Sequence, residues 1–144
     1  MNIHFNKRDP IYLQVVRYFK QEIAVAHLKP GQKIPSRREL TSQLNIKPNT
    51  AQKAYKEMEN LGLIYTEGNS PGKITENTIV LKKVREELID EATDNFITAI
   101  KPINVPLDEI VGLVKKNILK IKKTRRIQMI EVKNVIKTFG KKKI

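Results

Sequence analysis

Residues 35–62, PSRRELTSQLNIKPNTAQKAYKEMENLG, constrain the fold more than any other stretch of this chain. Ser36 is a good N-cap and Glu39 follows three residues later, an S-x-x-E capping box that opens a short helix. Leu40 and Leu44 share one face of it. Asn45 tolerates the left-handed conformation that a tight turn needs. Pro48 suits the first turn of a second helix, where its missing N–H costs nothing. Ala51, Ala54, Tyr55, Met58 and Leu61 then recur at helical spacing and are expected to face inward. Gly62 is placed to end the helix. Left outward are Lys47, Asn49, Thr50, Gln52, Lys53 and Lys56, a polar and cationic set with no acid before Glu57. An apolar back with such a front matches the reading helix of a helix-turn-helix.

The flanking residues extend this unit on both sides. Residues 1–9 read as an extended arm. Asp9 is expected to cap a first helix with Pro10 at its first position. Ile11, Val15, Val16, Phe19, Ile23 and Ala24 carry its buried face to about residue 27. Leu28-Lys29-Pro30-Gly31 makes a turn, and Gln32-Lys33-Ile34 has room for only a very short strand. Beyond Gly62, Leu63–Thr66 reads as a strand, Glu67–Gly72 as a turn-rich loop, and Lys73–Thr75 as the returning strand.

PSRREL, NIKPNTAQKAY and LGLI, preceded by DPIYLQVVRYFKQEI and LKPGQKIPS, occur in this order. Together they resemble the GntR family of bacterial transcription regulators over about half of the chain. The resemblance implies a winged helix-turn-helix, with the hairpin as its wing, and binding to double-stranded DNA. Arg38 falls in the R-E-L motif, where the family uses an arginine to reach DNA, and its planar fork can bond two acceptors on one base edge. Ser36 can both cap and meet phosphate, while Arg37 and Lys33 are candidate backbone contacts. Lys47, Pro48, Asn49, Thr50, Gln52, Lys53 and Lys56 front the reading helix. Asn and Gln can bond adenine, and Lys guanine or phosphate. Tyr55 is expected in the core, with phosphate contact as the alternative. In the wing only Gly72 and Lys73 fit the family pattern.

The charge distribution agrees with this placement. Residues 1–75 carry a net +6, residues 76–114 a net −4 and residues 115–144 a net +11, within a total of +13. A basic head fits a phosphate-binding surface, whereas an acidic middle does not. The chain has no Cys, so disulfides and thiolate metal sites are excluded. His4 and His27 have no partners at ligand spacing, and no metal or other cofactor is expected. There is no Ser-His-Asp set, catalytic carboxylate pair or phosphate-cradling glycine loop, so no enzyme is expected. No apolar run approaches the roughly 18 residues of a membrane span, and MNIHFNKRDP does not read as a signal peptide. The expected location is the cytoplasm.

From residue 77 a second helical pattern places Leu81, Val84, Leu88, Ala92, Phe96 and Ala99 on one stripe, closed by Pro102. Pro106 opens a third, with Leu107, Ile110, Val111, Val114, Ile118 and Ile121. Two striped helices on a short loop cannot bury both stripes on each other and need a further surface, either the head domain or a second copy of the chain. A symmetric dimer is expected through Leu81, Val84, Leu88, Ala92, Phe96, Ile110, Val114 and Ile118. This half resembles the YtrA branch of the family, which implies a dimeric repressor with a two-helix dimerisation segment, often acting on a transporter operon. The effector is not legible.

The expected organisation is therefore a mainly α chain with a small β-hairpin. It comprises a winged helix-turn-helix over 1–75, a dimerisation hairpin over 76–124 and a basic tail over 125–144. Within the tail, MIEVKNVIKTFGKKKI resembles the start of an ABC-transporter ATPase, with Phe139-Gly140 as its aromatic-Gly pair. No phosphate loop follows it, so ATP binding is not expected. A gene fusion, a frame overlap or chance could each produce this tail; a real likeness would point to a neighbouring ATPase gene. Two other classes stand beside the regulator: a winged-helix adaptor that binds protein, and an ATPase fragment resting on the tail alone.

Overall fold

The computed structural model describes the backbone of residues 1–141 and the side chains of residues 1–130. Three helices come first: α1 (Ile11–Ala24), α2 (Arg37–Leu44) and α3 (Pro48–Asn60). The hairpin β1 (Ile64–Tyr65) and β2 (Lys73–Ile74) follows. Helix α4 (Thr78–Ile100), a 3-10 turn (Lys101–Ile103) and helix α5 (Leu107–Lys141) complete the order. The chain divides into two compact units, Met1–Asn95 and Phe96–Ile144. The fold is the winged helix: mostly helical, with one small antiparallel hairpin.

The first unit closes around Val15, Val16, Phe19, Ile23, Leu40, Ala51, Ala54, Tyr55 and Met58, with Leu63, Ile64 and Ile74 from the hairpin. Ile64 pairs with Ile74 and Tyr65 with Lys73. Residues 31–34 lie along the other edge of β2, with Ile34 N–H donating to Gly72 C=O at 2.9 Å and Ile74 N–H to Gln32 C=O at 2.9 Å. The wing is thus tied to the segment that leads into α2.

The helix ends follow their local chemistry. Ser36 accepts the N–H of Glu39 at 3.2 Å, while its hydroxyl donates to the Glu39 carboxylate at 3.1 Å. Asn45 adopts φ 51° and ψ 48° and ends α2. At the end of α3, Gly62 takes φ 72°. Its N–H meets Glu59 C=O and the Leu63 N–H meets Met58 C=O, the two bonds of a Schellman motif.

Four expectations are corrected here. Asp9 does not cap α1: Pro10 is the N-cap residue, and the Asp9 carboxylate instead accepts from the Asn6 amide at 3.1 Å. Helix α1 stops at Ala24, because Ala26 takes a positive φ of 60° that a right-handed helix cannot continue. Ile11 and Leu61 are exposed, since each sits at a helix end where the apolar stripe has already left the core. Most consequentially, the stripe on α4 is not of one kind. Val84 is 3% exposed within the core of the first unit, and Leu81 and Leu88 pack against that core. Val84 is therefore filled by its own chain, while Leu81 and Leu88 are half-buried and keep some accessible surface.

In the second unit Phe96, Ile97, Ile103, Leu107, Val111, Val114, Ile118 and Ile121 are all exposed. Asp108 and Glu109 lie in the first turn of α5, where acid favours the helix dipole. Helix α5 runs through residue 124 without a break to Lys141. Of the tail over 125–144, the side chains after Ile130 and all of residues 142–144 lie outside the described residues, and so do the side chains of the Phe139-Gly140 pair. Among the described residues no helix is long and apolar enough to cross a membrane.

Candidate nucleic-acid interface

Helix α3 presents one face to the core and the other to solvent. Ala51, Ala54, Tyr55 and Met58 are buried. Lys47, Pro48, Asn49, Gln52, Lys53 and Lys56 are exposed, and Thr50 is half-buried. Among the described residues none of these front side chains is held by an ion pair or a side-chain hydrogen bond, so their donors are available. The helix begins open as well. Lys47, its N-cap residue, provides no side-chain cap, and Pro48 has no N–H to give. Uncapped N–H groups in a first turn attract anions, and phosphate is the anion DNA offers.

Tyr55 fixes the parts around this helix. It is 1% exposed. Its hydroxyl accepts the N–H of Gly72 at 2.8 Å and donates to Pro35 C=O at 3.1 Å. One side chain on α3 thereby holds both the entry to α2 and the root of the wing. Burial pushes the Tyr55 phenol above its ordinary range, with the Gly72 N–H and the Arg37 charge pulling the other way. The hydroxyl is committed inside the domain and is not offered to phosphate.

Gly72 is equally committed. It is buried, its N–H goes to Tyr55 and its C=O to Ile34. A Cβ at this position would lie 2.9 Å from the Tyr55 hydroxyl oxygen, so glycine is needed for close packing within the domain. Lys73, half-buried, lies 3.7 Å from Glu67 in the wing loop.

The two arginines at the start of α2 have different roles. The guanidinium of Arg37 lies 4.6 Å above the centroid of the Tyr55 ring and 3.3 Å from the Glu59 carboxylate. Arg38 is exposed, and among the described residues nothing pairs with it. Arg38 and Ser36 border a cleft whose far wall is Thr66, Asn69, Ser70 and Pro71 of the wing loop. Sequence reasoning passed over Thr66, Asn69 and Ser70. Thr66 reads as the end of a strand, and the turn-rich setting of Asn69 and Ser70 marks only a loop; folding brings all three opposite α2. The two histidines do not converge: His27 pairs with Glu22 at 3.1 Å, and His4 lies in the N-terminal arm.

The description "Bacterial regulatory proteins, gntR family" matches residues 11–73, from the start of α1 to the wing. The chain is 30% identical over 115 residues to the uncharacterized HTH-type transcriptional regulator YhcF of Bacillus subtilis (strain 168), spanning 80% of this chain and 95% of that one. It is 33% identical over 108 residues to the HTH-type transcriptional repressor YtrA of the same organism, spanning 74% of this chain and 83% of the relative. Among solved structures, a GntR family transcriptional regulator from Listeria monocytogenes superposes with a TM-score of 0.73 at 32% identity, over 78% of this chain and 98% of that one.

Proposed function

The chain belongs to the GntR family of bacterial transcription regulators, with YtrA among its relatives, and from that premise we propose that it is a cytoplasmic, homodimeric repressor that reads a pseudo-palindromic operator. Its fold and relatives are those of regulators rather than enzymes. The observation that carries the reading is α3, whose apolar back is wholly buried while its cationic front is exposed and unengaged. A protein-docking helix has no need of such a front.

In this reading α3 enters the major groove. Asn49 and Gln52 are suited to adenine edges, and Lys53 and Lys56 to guanine or phosphate. Lys47 and the open first turn hold the backbone. Arg38 reaches a base beside α3, with the wing loop against the neighbouring phosphates, while Ser36, its hydroxyl engaged by Glu39, caps α2. Arg37 acts through Tyr55 and Glu59, positioning α2 rather than reading sequence. Gly72 shapes the wing, and Lys73 lies beside its loop. The dimer forms through the exposed part of the apolar stripe, Ala92 and Phe96 on α4 and Val114 and Ile118 on α5, with half-buried Ile110 beside them. Two half-sites would then lie about one helical turn of DNA apart. The likeness of residues 129–144 to an ABC-transporter ATPase extends the proposal to a transporter operon as the regulated unit.

Selection of bound duplexes from a random pool tests the function. A recovered inverted repeat, bound with a steep salt dependence, supports it. Recovery of no common sequence would overturn it in favour of a protein-binding adaptor.

A further inference from the structure

From Ile110 to Ile130 helix α5 contains no Asp or Glu, yet it carries Lys115, Lys116, Lys120, Lys122, Lys123, Arg125 and Arg126. All seven side chains are exposed. Helical spacing sorts most of them into two rows: Lys116, Lys120 and Lys123 in one, and Lys115, Lys122 and Arg126 in the other. Both rows lie off the Val114–Ile118–Ile121 stripe. Among the described residues of the second unit no carboxylate lies within ion-pair distance of any of these cations. Helix α4 differs: there Lys82 and Lys83 pair with Glu86 and Glu87 one turn on.

Within each row like charges stand three, four or seven residues apart, and those one turn apart repel. A helix charged against itself in this way gains when an anion is bound along it. The anion must be repetitive, because the cations recur at about one helical turn, ~5.4 Å. We propose that this face of α5 is a second duplex-binding surface, which holds the phosphate backbone of DNA without reading its sequence.

Two other occupants fit the chemistry less well. Helices that lie in a membrane interface carry Trp, Phe or Leu on the apolar face, and on α5 the face that carries Val114 and Ile118 is the one assigned above to the dimer rather than to lipid. The described side chains of α5 include no aromatic, and the chain has no Trp. The acidic face of α4 in a second copy is already largely engaged, since Glu86, Glu87 and Glu91 pair with Lys82, Lys83 and Arg17.

The identity of the polyanion rests on the reading of α3 as a DNA-binding helix, so the test separates the two. The full chain with Lys116→Gln, Lys120→Gln and Lys123→Gln keeps helix-forming residues in place. Its affinity for a random-sequence duplex is measured against salt, beside sedimentation and helix content. The expected result is a salt slope lower by about 2–3, at roughly 0.9 per lost phosphate contact. Preference for the selected operator, dimerisation and helicity should not change. An unchanged slope in a folded variant overturns the inference. So does a loss of dimer, which would assign the cations to a second copy, or tighter binding of the wild type to phosphatidylserine vesicles than to the duplex. If the triple variant does not fold, Lys115→Gln with Lys122→Gln and Arg126→Gln puts the same question to the other row. If α3 does not read DNA, the wild type shows no sequence preference while the slope still falls. If α5 is idle, the preference stands and the slope does not move.

Discussion

Arg38 and Tyr55 show how neighbouring side chains of one domain divide recognition from support. Arg38 is exposed and unpaired among the described residues, so Arg38→Ala should leave the thermal melt nearly unchanged. It should weaken operator binding by about 1–3 kcal/mol if the side chain reads a base. Equal losses on operator and random duplex would assign Arg38 to the backbone instead. Tyr55→Phe should behave in the opposite way. It leaves the buried Gly72 N–H without its acceptor, at a cost of about 1–3 kcal/mol in a denaturant titration. The pH dependence carries a further signature. Because burial raises the Tyr55 phenol above its ordinary value of 10.0, the folded chain holds that proton more tightly than the unfolded one. That contribution is complete below the unfolded value and is lost as pH rises through the folded value. The melting temperature of the wild type should therefore fall above pH ~10 more steeply than that of Tyr55→Phe. Tyr18, raised chiefly by burial, keeps part of the decline in both.

At the scale of the element, the turn from α2 to α3 sets where the reading helix points. Asn45 sits in the left-handed region with φ 51°, and its N–H closes onto Thr41 C=O. Asn45→Gly should fold as well as the wild type. Asn45→Val places a β-branched residue in that region and should cost roughly 1–2 kcal/mol. Calorimetry of the two variants checks the difference, and equal melts would show that the turn relaxes. Much of this element was legible in the sequence, because a cap, a turn residue, an N1 proline and a C′ glycine act within a few residues of themselves. The role of Gly72 was not. Its signal, a glycine in a turn-rich loop, looks the same whether the glycine meets DNA or a tyrosine 17 residues away.

For the whole molecule the prediction concerns the exposed apolar surface of the second unit. Val114 and Ile118 are 38% and 49% exposed. Val114→Asp with Ile118→Asp should convert a dimer to a monomer in sedimentation at micromolar concentration, and should leave the melting of the first unit in place. Operator affinity should fall with it, since two linked half-sites bind far more tightly than one. A variant that remains dimeric would remove this surface from the interface. Val84→Asp is expected to act differently and unfold the first unit, because that side chain is core.

Pattern alone determined the helix-turn-helix, the cationic front of α3, the hairpin and the two later helices. Each rests on interactions within a turn or two of the chain, where residue type and spacing suffice. The tertiary structure decided which apolar positions were already satisfied. Leu81, Val84 and Leu88 carry the same helical periodicity as Ala92 and Phe96, yet Val84 lies in the core of the first unit and Leu81 and Leu88 pack against it. Periodicity reports that a face is apolar and not what covers it. It likewise could not tell Arg37 from Arg38, adjacent and alike in the chain. One lies over the Tyr55 ring and beside Glu59, and the other is free among the described residues, because a helix turns by about 100° per residue and only packing says which direction is inside.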